Sequence, residues 1–186
     1  MSNLLDKYLF QALDAYPYNL EEAVESLNYA LSYDDKNPIA LCLMGQIYAE
    51  NLRNYETAKE YYQQALAADM YALDVYPKYI NVLLWNEDYN EAEKLIDFAL
   101  TIKGTDKAVL YLKKGILLEQ KQAYKAALKV LKTAKTYAYN NYFISDVEGD
   151  EKRIKDKMPK KKKKSKSKKK GKKTKSSSKK SKKKSN

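Results

Sequence analysis

Apolar positions along the first 140 residues recur at the three- and four-residue steps that gather side chains on one face of an α-helix. The pattern is sharpest in four segments that superpose without gaps: NLEEAVESLNYAL from Asn19, NYETAKEYYQQAL from Asn54, DYNEAEKLIDFAL from Asp88 and AYKAALKVLKTAK from Ala123. Their anchor alanines, Ala23, Ala58, Ala92 and Ala127, are spaced 35, 34 and 35 residues apart. Four residues after each anchor stands a large side chain (Leu27, Tyr62, Ile96, Leu131), and seven after it another alanine (Ala30, Ala65, Ala99, Ala134). Offsets of 0, 4 and 7 share one helical face, so each segment is predicted to be an amphipathic helix. Asn19, Asn54 and Asp88 precede their anchors by four residues as N-caps, and Asn19/Glu22 and Asp88/Glu91 have capping-box spacing; Ala123 departs from the pattern. Upstream lie further amphipathic stretches such as IALCLMGQIYAE and VLYLKKGILLEQ, holding Gly45, Ile80 and Gly115 at corresponding places. The repeating unit is helix, turn, helix.

Four such units in phase resemble the tetratricopeptide repeat, whose pattern sets an aromatic, Leu-Gly and Tyr on a first helix and Ala, an aromatic and Ala on a second. The fourth unit matches through Tyr111, Lys114-Gly115, Leu118, Tyr124, Ala127, Leu131 and Ala134; the second through Leu41, Met44-Gly45, Tyr48, Tyr55, Ala58, Tyr62 and Ala65. The third keeps Tyr76, Tyr79, Leu83, Tyr89, Ala92, Ile96 and Ala99 but has Ile80 in the glycine position, so its helices are expected to pack less closely. The first fits when Pro17 is an inserted turn residue, which places Leu9, Phe10 and Leu13 toward the core. The implied fold is all-α: a right-handed solenoid of four helix-turn-helix repeats over residues 4–36, 37–70, 71–104 and 105–140. Residues 141–158 read either as an acidic linker or as a capping helix with Ile144, Val147, Ile154 and Met158 on its apolar stripe, interrupted by Gly149.

The same resemblance implies a concave surface, lined by the first helix of each repeat, that holds a peptide or helix from a protein partner. In register, it places Lys7, Gln11 and Asp14, then Cys42, Gln46 and Ala49, then Lys78, Asn81 and Leu84 with Trp85 nearby, then Leu112, Ile116 and Glu119 toward that groove. Members of the family that dock a chaperone's C-terminal carboxylate use basic residues and amides there. Lys7, Gln11 and Lys78 match in type, while Leu43 and Asp74 depart from that set.

Composition narrows the chemistry. With no histidine there is no imidazole base, no Ser-His or Cys-His nucleophile pair and no His-ligated zinc, and the single Cys42 cannot close an intramolecular disulfide. No motif calls for a metal or cofactor, and the chain reads as non-enzymatic. It shows no signal-peptide pattern and no apolar run near the roughly 20 residues that cross a bilayer. A cytoplasmic location is expected, nuclear or nucleolar if the cell has a nucleus.

Charge is strongly segregated. Residues 1–151 carry 15 basic and 23 acidic side chains, net −8, against 21 basic and one acidic in residues 152–186, net +20. From residue 159 to 186 there are 17 lysines and no aliphatic or aromatic side chain, the composition of a disordered tail. Lys160, Lys161, Lys162, Lys163, Lys164, Lys168, Lys169, Lys170, Lys172 and Lys173 are the candidate polyanion contacts, for RNA, DNA or a ribosome; anionic lipid or simple solubilisation also fits. Lysines 121, 125, 129, 132 and 135 are expected on one face of the last repeat helix, as a solvated outer face or as an extension of the tail's cationic surface. Two functional readings follow: an adaptor that holds a partner in its groove while its tail tethers a polyanion, or a nucleic-acid- or ribosome-associated protein binding through the tail and the fourth repeat.

Overall fold

The computed structural model describes residues 2–159, with side chains from Asp6 onward, so the tail lysines from Lys160 lie outside the described residues. Among those residues the chain forms nine helices: α1 (Ser2–Ala15), α2 (Leu20–Tyr33), α3 (Pro38–Glu50), α4 (Tyr55–Ala68), α5 (Val75–Trp85), α6 (Tyr89–Ala99), α7 (Lys107–Gln120), α8 (Tyr124–Thr136) and α9 (Asn141–Lys157). Consecutive helices pair as antiparallel hairpins, α1/α2 through α7/α8. Close approaches also run between successive first helices, α3 with α5 and α5 with α7, which places those helices together on one side of the array.

The alanine anchors explain why the hairpins close. Ala23, Ala58, Ala92 and Ala127, with the alanines seven residues on, are fully buried, and Leu27, Tyr62, Ile96 and Leu131 fill the space between them. Glycine does the rest in two hairpins. A Cβ at Gly45 would stand 3.0 Å from the Tyr62 ring, and one at Gly115 would overlap the Leu131 side chain. Ile80 has no such gap to leave; it is itself buried, α5 and α6 are only 11 residues each, and this hairpin packs less closely than the other three.

Capping follows the expected positions with one exception. Asn19 accepts from the backbone N–H of Glu22, and Asn54 from that of Thr57, both at 3.2 Å. Asp88 precedes α6 but makes no side-chain cap bond; its Oδ2 instead accepts from Lys59 Nζ and Asn86 Nδ2, each at 2.7 Å.

Pro17 does fall in a turn, between α1 and Asn19. The buried stripe of α1 is nevertheless Leu9, Ala12 and Ala15, and Phe10, expected inside, is 64% exposed, with Leu13 also on the outside of the core. The spacing of small residues decides the rotation of α1: Ala12 and Ala15 let α2 approach, which two bulky side chains in their place would prevent.

Residues 141–157 are helical throughout. Asn140 caps α9 by accepting from Phe143 N–H at 2.8 Å, and Val147, Glu151 and Ile154 are buried against α8, in a cluster with Ala127, Leu131 and the flanking Leu112 and Phe143. Gly149 points away from every neighbour, so it costs this helix only intrinsic propensity. The acidic run of α9 is not a solvated linker: Lys135 lies 3.1 Å from Glu151 and 3.5 Å from Glu148, and Arg153 holds Asp150.

Candidate functional site

The first helices enclose a cleft of about 540 Å³ between α1, α3 and α5. Its walls are mainly apolar, from Leu13, Ile39, Leu43, Ala72, Leu73 and Val75; Gln46, Lys78 and Asp74 supply polar groups beside Cys42 and Tyr16. Two helices position most of these groups. The Asn37-Pro38 start of α3, with Asn37 accepting from the amides of Ile39 and Ala40, sets Ile39, Cys42/Leu43 and Gln46 on one helical face. Lys78 sits one turn into α5, its Nζ 3.7 Å from Cys42 Sγ.

The electrostatics leave the cleft without an activated nucleophile. Burial pushes the Cys42 thiol up, and the ammonium of Lys78 pulls back only part of that shift, so the sulfur stays protonated at neutral pH. Tyr16 Oη donates to Glu50 at 3.0 Å, and Gln46 Nε2 donates to the same oxygen at 3.1 Å. Burial first, and then the Glu50 carboxylate, raise the Tyr16 phenol to about 12, so it remains a neutral donor. These bonds lock the polar side of the cleft.

Of the residues anticipated for the groove, Cys42, Gln46 and Lys78 line this cleft. Lys7 and Gln11 lie on another part of α1, with Phe10 and Asp14; Gln11 donates to Glu22 at 3.2 Å, and Lys7 sits over its neighbour Tyr8. The rotation of α1 that buries Ala12 and Ala15 leaves Leu13 and Tyr16 outside the core, on the wall of the cleft. Lys7 and Lys78 therefore do not converge as a carboxylate clamp would require, Leu43 being buried and Asp74 exposed. Asn81 is half-buried and Trp85 is exposed near the Tyr55 ring at 6.1 Å, both beyond the cleft lining. Leu112 and Ile116 are half-buried, Leu112 packing into the α8/α9 cluster.

Glu119 requires a correction. It is 5% exposed and unavailable to a partner, because Arg153 and Lys157 of α9 hold its carboxylate at 2.6 and 2.8 Å. Its sequence position faces the groove side of α7, and it is α9 that occupies that side.

The row of lysines around α8 divides too. Lys121 pairs with Glu93 at 2.6 Å and Lys135 with the α9 carboxylates, whereas Lys125, Lys129 and Lys132 are exposed and carry no ion pair among the described residues. Sequence reasoning missed Leu13, Tyr16, Ile39 and Tyr71 as cleft residues. The signal available for Ile39 was its place one turn ahead of Cys42 and Leu43 and two ahead of Gln46.

No group of side chains suited to a metal ion, and no helix long and apolar enough to cross a membrane, occurs among the described residues. Neither the models of known protein families nor the curated proteins contain a match to this chain. Solved structures do. PilF of Pseudomonas aeruginosa superposes with a TM-score of 0.69 at 20% identity, over 82% of this chain and 71% of that one. MamA superposes at 0.65 and 13% identity, over 84% and 88% of the two chains. The segment of MamA from residue 41 onward, from Desulfovibrio magneticus RS-1, gives 0.64 at 17% identity, over 82% and 90%. At such identities the likeness defines the fold, an all-α solenoid of the tetratricopeptide type.

Proposed function

We propose that the protein is a non-enzymatic adaptor that holds a peptide or helix of a protein partner in its inner groove, centred on the α1/α3/α5 cleft, with the lysine-rich C-terminal segment tethering the assembly to a polyanion in the cytoplasm. The cleft supports this reading: an apolar lining of Leu13, Ile39 and Leu43, with an amide at Gln46 on α3 and, on the α5 side, the cation of Lys78 and the carboxylate of Asp74, suits apolar anchor side chains flanked by an acidic or carbonyl group that reaches Lys78. A helical-repeat scaffold with no histidine and a protonated thiol supports binding over catalysis. Selection of a displayed random peptide library on the intact protein tests it. Peptides carrying an apolar pair near an acidic residue should be enriched, and their affinity should fall at least tenfold for Leu13→Asp and Lys78→Glu. Absence of any enriched family, or equal binding by both folded variants, overturns the groove reading.

A further inference from the structure

Nine of the 18 tyrosine rings stack on another tyrosine, among them Tyr8 on Tyr29, Tyr48 on Tyr61, Tyr62 on Tyr79 and Tyr111 on Tyr137. Two rings at the corner between α8 and α9 do not. Tyr139, in the connecting segment, is 93% exposed, and Tyr142, in the first turn of α9, is 86% exposed; neither stacks on another ring among the described residues. At the same corner Lys107 Nζ sits 5.9 Å from the centroid of Tyr137, so cation and aromatic face already coincide.

The outer face of α8 that leads to this corner is cationic, while Lys114, Lys121 and Lys135 are held in ion pairs. Residues 111–140 contain seven lysines and one acid, and that acid, Glu119, is buried in its ion pairs. Lys125, Lys129 and Lys132 project from the face of α8 opposite its buried Ala127, Leu131 and Ala134, forming a row that leads about 18 Å along the helix to the corner. Lysines alone give non-specific attraction to any polyanion. Exposed tyrosine rings at the end of that row add what the lysine-rich C-terminal segment lacks, a surface on which unpaired bases stack.

We infer that the α8/α9 corner is a binding platform for single-stranded nucleic acid: Tyr139 and Tyr142 stack on bases, while Lys107, Lys125, Lys129 and Lys132 neutralise phosphates. A duplex keeps its base faces inside its own stack and cannot use the tyrosines. Asp146, exposed one turn beyond Tyr142, opposes phosphate at the rim and supplies a test of sign. The platform is separate from the inner groove and does not depend on it.

Binding of the full chain to a fluorescent oligothymidylate, with a duplex of equal length and heparin as polyanions without accessible bases, distinguishes the sources of affinity. Replacing Tyr139 and Tyr142 together by alanine should weaken oligothymidylate binding about tenfold or more. Heparin binding and the slope of log K against log salt should stay unchanged. Lys125→Ala/Lys129→Ala/Lys132→Ala should make that slope shallower by about 2. Asp146→Asn should tighten binding. All the changed residues are exposed, and circular dichroism confirms that the variants fold. Equal affinity for single strand, duplex and heparin, or undiminished single-strand binding by the tyrosine variant, overturns the platform.

Discussion

Arg153 grips Glu119 with two donors, Nε at 3.0 Å to one carboxylate oxygen and Nη2 at 2.6 Å to the other, so α9 is fastened to α7 by a fork-to-fork pair whose acid is buried. Lys157 adds a third bond at 2.8 Å. Removing the cations strands a buried carboxylate, which costs more than losing the pair as a whole. Arg153→Ala should destabilise the protein by about 2 kcal/mol, and Glu119→Gln by less. Urea denaturation of the two single variants and the double variant checks this; additive effects would refute the coupling.

The same pair sets an acid limit. Hydrogen bonds from Arg153, then from Lys157, hold the Glu119 carboxyl below the usual carboxylate range, against a raising effect of burial. A depressed folded value means the stabilisation is fully present above the unfolded carboxylate value of about 4.3 and disappears as pH falls through the lower, folded one. Amide exchange in α9, once corrected for intrinsic rates, should be flat from pH 7 to 5 and rise below about pH 4. Glu119→Gln should remove that acid-side dependence.

Much of this architecture is legible in the sequence because it rests on side-chain volume at fixed spacing. The anchors Ala23, Ala58, Ala92 and Ala127, the caps Asn19 and Asn54, and the Gly45 and Gly115 crossings all report on one helix approaching another within a single hairpin. The groove is less legible. Its lining depends on the rotation of α1, which a match over Leu9, Phe10 and Leu13 misplaced because alanine at positions 12 and 15 outweighs the pull of larger apolar side chains. Glu119 was misassigned for a different reason: its partners are 34 and 38 residues away, on a helix whose Gly149 weakens the periodic signal. Ion pairs at that separation leave no local trace.

Glycine at the α7/α8 crossing yields a further prediction. Alanine normally favours a helix over glycine by about 1 kcal/mol, yet Gly115→Ala should destabilise, because its Cβ would overlap Leu131 near that side chain's branch point. A net loss of about 1–2 kcal/mol is expected in thermal unfolding. Gly45→Ala should cost less, since the Tyr62 ring at 3.0–3.1 Å needs to yield by only a few tenths of an ångström. The double variant Gly115→Ala/Leu131→Val should recover part of the loss.

Lys59 joins repeats two and three, pairing with Asp88 at 2.7 Å and Glu56 at 2.9 Å, and its side chain is largely buried. Lys59→Met should therefore lower stability by about 1–2 kcal/mol. Asp88→Asn in the same background should add little. A double-mutant cycle measures the coupling, and a value near zero would rule out the bridge as a contributor.

Ile80 in place of glycine has a mechanical meaning. In an array where each repeat touches only its neighbours, stiffness is a series property, and the softer units take most of the deformation. Of the four hairpins, α5/α6 has the shortest helices and the loosest internal packing. Among the hairpins it therefore yields first, and Lys78, carried on α5, shifts with it.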